Sequence, residues 1–103
     1  MSDNQNEINK MKAEIMYDEI IIKYDFIKDI DNEEKIIQKI IEFNFDENKI
    51  KEYYELRIYV ELDDEYGVSG FIEEEDTKNK IKELHYNRKL IYEWIENVLI
   101  YGD

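Results

Sequence analysis

The chain has 103 residues, with 27 acidic and 14 basic side chains, one His and no Cys, and a formal net charge of -13. Absence of Cys excludes a disulfide framework, thiolate metal sites and cysteine nucleophiles. No apolar run approaches the ~18–20 residues of a membrane span. The opening Met1-Ser2-Asp3-Asn4-Gln5 also lacks the basic and apolar regions of a secretory signal, so a cytoplasmic location is expected.

The length fits one domain, residues 1–103, with the polar residues 1–6 frayed. High charge favours disorder, but a hydrophobic content of 43% with 9 Tyr and 4 Phe outweighs it. No internal repeat and no Gly/Ser linker stands out.

From Glu7 onward, Ile8, Met11 and Ile15 recur at helical spacing and predict a helix to about residue 16 or 17. Residues 19–27 then alternate, with Ile20, Ile22, Tyr24 and Phe26 on one side, which favours a strand. The rival reading continues the first helix through them. Asp31-Asn32-Glu33-Glu34 starts the next helix, with Asp31 as cap and Glu34 in a capping box. Ile36, Ile37, Ile40 and Ile41 form its apolar stripe, and it stops near Asn44. Residues 44–52 read as a linker anchored by Phe45 and Ile50.

Leu56, Ile58, Val60 and Leu62 alternate with polar residues and predict the clearest strand. A turn at 63–67, with Gly67 at a positive φ, returns the chain through Val68, Gly70 and Ile72 as an antiparallel hairpin. Asp76 or Thr77 caps a final helix of five or six turns. Ile81, Leu84, His85, Ile91, Trp94, Ile95 and Val98 share its apolar face. The expected fold is therefore α+β. A small two- or three-stranded antiparallel sheet packs against helices in the order α-β-α-β-β-α, or α-α-β-β-α if residues 19–27 are helical.

Charge is unevenly placed. Residues 1–60 carry -6, residues 61–76 carry -8 with no base, and residues 77–103 carry +1. Glu61, Asp63, Asp64, Glu65, Glu73, Glu74, Glu75 and Asp76 thus gather on the hairpin tip and its flanks. Carboxylates two apart on a strand lie about 6.7 Å apart, on the scale of successive nucleic-acid phosphates. These eight are the candidate phosphate surrogates, with Tyr59 and Tyr66 as aromatic contacts beside Tyr53 and Tyr54. The arrangement resembles, as a functional class only, mobile-element inhibitors of host nucleases. The bland alternative is a solvated acidic surface that maintains solubility.

Direct nucleic-acid binding is not expected, because Lys78, Lys80, Lys82, Arg88 and Lys89 are scattered within a repulsive field. No catalytic constellation assembles. His85 is the only imidazole and reads as a packed, hydrogen-bonded residue, and Ser69 has no nucleophile-elbow context. Asp29, Asp31 and Glu33 match the first offsets of a calcium loop, but Glu34 stands where its Gly belongs. No cofactor or metal is expected. Trp94 reads as a core anchor, while outward Tyr86, Tyr92 and Tyr101 would suit a homodimer contact.

The function these features favour is a non-catalytic, phage- or mobile-element-borne inhibitor. It would occupy the nucleic-acid-binding surface of a host nuclease, defence effector or other DNA/RNA-binding enzyme. Alternatives are an antitoxin or immunity protein for a basic toxin, and a small adaptor subunit working through aromatic helical surfaces.

Overall fold

Ile20 is fully buried while Ile22, two residues on, is 82% exposed, so residues 19–23 are helix and not strand. The structure, a computed structural model, describes the backbone of residues 2–67 and 69–101 and the side chains of 4–67, 70, 71 and 73–99. Among these residues it contains six α-helices and one 3-10 helix, and no strand. The α+β expectation is thereby overturned. The chain divides into two compact units, residues 1–54 and 55–103.

In the first unit, helix α1 (Ser2–Lys23) runs on through the expected strand and leads into a 3-10 helix, Asp25–Asp29. Helix α2 (Glu33–Glu42) follows, capped by Asn32, whose side chain accepts from the Lys35 amide. The cap is thus one residue later than expected. Asp31 instead accepts the Tyr54 hydroxyl at 3.0 Å. Helix α3 (Glu47–Tyr66) begins inside the expected linker, with the Asp46 carboxylate accepting from the Lys49 amide. α1 packs on α2 and on the 3-10 helix. Ala13, Ile20, Ile27, Ile36, Ile40, Ile50 and Tyr54 are fully buried, and each isoleucine contributes about 1.5–3 kcal/mol.

The second unit holds the rest of α3, then α4 (Ser69–Ile72), α5 (Glu75–Glu83) and α6 (Arg88–Tyr101). The expected hairpin is the C-terminal part of α3 plus α4. Ile58 and Leu62 are buried four residues apart, whereas Leu56 and Val60 are 62% and 58% exposed. The alternation that suggested a strand comes from two opposite helical faces, both apolar. Thr77, Ile81, Ile91 and Ile95 complete this core, and Phe71 stacks on Trp94 at 5.7 Å. Trp94 itself is only half-buried. The expectations for Val68 and for the side chains of Ile72 and Tyr101 lie outside the described residues.

The expected final helix is broken at Leu84–Asn87, where His85 and Tyr86 both take positive φ, 57° and 55°. His85 is consequently exposed and off the apolar face. Its backbone bonds explain the break: the Tyr86 amide donates to Ile81 O and the Asn87 amide to Leu84 O, closing one helix before the next opens.

The same corner occurs 41 residues earlier, as Phe43 is from Leu84. Asn44 and Phe45 have φ of 55° and 62°, the Phe45 amide donates to Ile40 O, and the Asp46 amide donates to Phe43 O. Asp46 and Asn87 each cap the helix that follows. Glu34/Glu75, Lys39/Lys80, Ile40/Ile81, Glu42/Glu83, Ile50/Ile91 and Glu52/Glu93 match across the two segments. The chain therefore contains an internal repeat, contrary to the expectation of none. Its period lies in the roughly 33–47-residue range of helical repeats.

Candidate basic-partner interface

The eight candidate carboxylates lie in the second unit, on two helices and the turn between α4 and α5. Glu61, Asp63, Asp64 and Glu65 lie in the last turns of α3, Glu73 and Glu74 follow α4, and Glu75 and Asp76 open α5. The α3 helix ends where the Gly67 amide donates to Asp63 O at 2.7 Å, with Gly67 at φ 61°. A Cβ there meets nothing within 4 Å, so glycine is favoured by backbone conformation alone. With the strand gone, the two-residue carboxylate spacing no longer applies. On a helix, side chains three or four apart place their Cβ atoms about 5–6 Å apart.

The two halves of the acidic run differ in what they do for the fold. Glu75 and Asp76 sit in the first turn of α5, where carboxylates are stabilised by the positive helix end. Asp63, Asp64 and Glu65 sit at the negative end of α3, whose last turn carries no base. Each costs about 0.3–1 kcal/mol in that position. None of the three takes part in an ion pair among the described residues. Asp64, Glu65, Glu73, Glu74, Glu75 and Asp76 are exposed and Asp63 is half-exposed.

Glu61 is different. Both of its oxygens accept from Arg88 Nη1, at 2.9 and 3.0 Å, so its charge is already matched. Sequence reading missed Arg88 as a partner because 27 residues and a broken helix separate the two.

Tyr59 and Tyr66 also have inward duties. Tyr59 is half-buried and meets Tyr86 edge to face, centroids 6.4 Å apart, and burial raises its hydroxyl above the ordinary tyrosine value. Tyr66 packs edge to face on Tyr92 at 5.7 Å and donates to Glu96 Oε1 at 3.1 Å. Burial first, and the Glu96 carboxylate second, push it up to about 12. Tyr86 is raised by burial and by its bonds to Glu55 and Tyr59. Tyr86 and Tyr92 are thus half-buried struts of the second unit, whereas the outward patch expected of them requires exposed rings.

In the first unit, Tyr53 and Tyr54 stand edge to face at 4.9 Å, and Lys39 lies 4.8 Å above the Tyr53 ring. An open groove of about 610 Å³ between α1 and α2 is lined by amides, carboxylates, Lys10 and two isoleucines, with no paired nucleophile and base. Among the described residues no three acidic or imidazole side chains converge as a metal site. No described helix is long and apolar enough to cross a membrane.

Comparisons with protein families, with curated proteins and with solved structures found no match.

Proposed function

We propose that the protein is a non-catalytic binding module that presents the acidic segment 61–76 to a basic surface. The surface in view is the nucleic-acid-binding face of a nuclease, defence effector or other DNA/RNA-binding protein. One observation carries this reading. The segment 41 residues earlier, 20–35, likewise leads from the end of a long helix through a short helical turn into the first turn of the helix that enters the corner, yet it carries Asp25, Asp29, Asp31, Glu33 and Glu34 against Lys23, Lys28 and Lys35. Its net charge is -2 where residues 61–76 carry -8. A connection of this kind does not need the extra acid, and three of the carboxylates oppose the dipole of the helix that bears them.

Concentrated negative charge accelerates encounter with a basic groove and makes binding steeply salt-dependent. The accessible surrogates are Asp63, Asp64, Glu65, Glu73, Glu74, Glu75 and Asp76, because Glu61 is held by Arg88. Tyr59 and Tyr66 hold the helices that carry them and offer only partial ring surface.

The test is capture of partners from host lysate by tagged protein at low and high salt, with and without competing duplex DNA. A triple variant, Asp64→Lys, Glu65→Lys and Glu74→Lys, runs in parallel. The expected result is a nucleic-acid-binding partner that duplex releases and the variant fails to retain. A basic toxin indifferent to duplex would point to an immunity protein. Equal retention of partners by the folded variant would overturn the proposal.

A further inference from the structure

Helix α1 is apolar on two opposite sides. Ala13 and Ile20 are fully buried against the first unit, while Ile8, Met11, Ile15 and Ile22 are 46%, 64%, 64% and 82% exposed. At about 100° per residue these four fall within an arc of about 60°, diametrically away from the buried face, and span about 21 Å of helix. Scattered exposed apolar residues need no explanation, but a continuous stripe at i, i+3, i+7 and i+14 has the spacing by which one helix receives another. Nothing among the described residues of the first unit covers it.

The charges beside the stripe select the occupant. Glu7 and Glu14 border one side and Asp18 stands in the row between Ile15 and Ile22, while Glu19 borders the other side with two bases, Lys12 and Lys23, of which Lys23 is paired with Glu47. A second copy would bring Asp18 into its own apolar seam and set two chains of -13 against each other. An anionic membrane would be repelled by the same carboxylates, since helices that lie on such surfaces carry Lys and Arg on their flanks.

We propose that the outward face of α1 docks a basic amphipathic helix of a partner protein, with Ile8, Met11, Ile15 and Ile22 as the apolar seam. Glu7, Glu14, Asp18 and Glu19 engage lysine or arginine side chains flanking the incoming apolar stripe. The inference rests on α1 alone and stands or falls independently of the acidic segment 61–76.

The full chain is titrated against a labelled 21-residue synthetic peptide with Leu at heptad a and d and Lys at e and g. Two control peptides are a scrambled sequence of the same composition and a version with Glu at e and g. The expected result is binding of the Lys-flanked helix at least about tenfold tighter than either control, weakened at least about tenfold by Met11→Ser with Ile15→Ser. Circular dichroism checks the fold of that variant, and Ile22→Ser alone supplies a second variant at the most exposed position. Equal binding of the scrambled peptide, or no effect of the serines in a folded variant, overturns the proposal. So does a concentration-dependent dimer in sedimentation that the serines dissolve, or serine-sensitive binding to phosphatidylglycerol vesicles.

Discussion

Residues 33–55 and 74–96 build the same corner from different side chains, and the differences separate what the fold requires from what it tolerates. Both corners retain isoleucine at 40/81 and 50/91, a side-chain cap at 46/87 and an aromatic at 45/86. Ile36 is replaced by Thr77, Ile37 by Lys78 and Tyr54 by Ile95. Each unit also ties the opening residue of the helix after its corner back to the C-terminal part of the long helix before its corner, α1 or α3, with opposite polarity. Glu47 accepts from Lys23 at 3.0 Å in the first unit, and Arg88 donates to Glu61 at 2.9 Å in the second. Glu47 is favourable at a positive helix end, whereas Arg88 is unfavourable there and relies on Glu61. The strut is retained and its sign is free. What is not shared at all is the excess acid of 61–76, which is why that segment is read as serving binding.

The comparison can be broken most severely in the core. Ile40→Ala and Ile81→Ala empty equivalent, fully buried positions, and each should cost about 2–5 kcal/mol in urea unfolding. A cost below about 1 kcal/mol at either site would mean that the two corners are not energetically equivalent. Next come the caps. Asp46→Ala and Asn87→Ala each leave a helix amide without its side-chain acceptor and should cost about 0.5–2 kcal/mol.

The left-handed residues sharpen the picture in the other direction. Neither corner has a glycine, although a left-handed residue with a Cβ costs roughly 1–2 kcal/mol. His85 is exposed, so His85→Gly should raise stability by up to about 1 kcal/mol after the entropy of glycine is subtracted. Asn44→Gly should gain less, because asparagine tolerates this region better.

The smallest effects are confined to pH windows and differ between the units. The Glu47 carboxyl is lowered by its hydrogen bonds from Lys23 and Tyr24, so its contribution is present above its unfolded value and is lost as pH falls through the folded one. The stability gap between wild type and Glu47→Gln should therefore close below about pH 4.5. Tyr66 is raised to about 12, so its contribution is complete below about pH 10 and is lost toward about pH 12. The gap to Tyr66→Phe should close over that alkaline range.

Much of the helical core is visible in the sequence. Ile36, Ile37 and Ile40 sit where a single-faced amphipathic helix predicts them, Ile81, Ile91 and Ile95 are buried as their spacing suggests, and Ile50 is buried as the expected anchor although its segment is helix and not linker. The misreadings occur where a helix has two apolar faces. In α1, Ile20 faces inward and Ile22 outward. In α3, Ile58 and Leu62 face inward while Leu56 and Val60 face outward. Such helices alternate like strands, and local periodicity cannot distinguish the two. The end of α2 near Asn44 was anticipated, but the second corner escaped notice because His85-Tyr86 contains neither Gly nor Pro. The acidic run was legible as composition, but its division into dipole-matched and dipole-opposed halves depends on where α3 ends and α5 begins.

On the proposed function, Asp63, Asp64 and Glu65 at the end of α3 serve a partner and work against the fold. Urea unfolding of a variant carrying Asp63→Asn, Asp64→Asn and Glu65→Gln tests it most directly. The expected result is a gain of roughly 1–3 kcal/mol at low ionic strength, shrinking as salt screens the wild-type chain. A variant less stable than the wild type would show that these carboxylates support the fold, and would contradict the account.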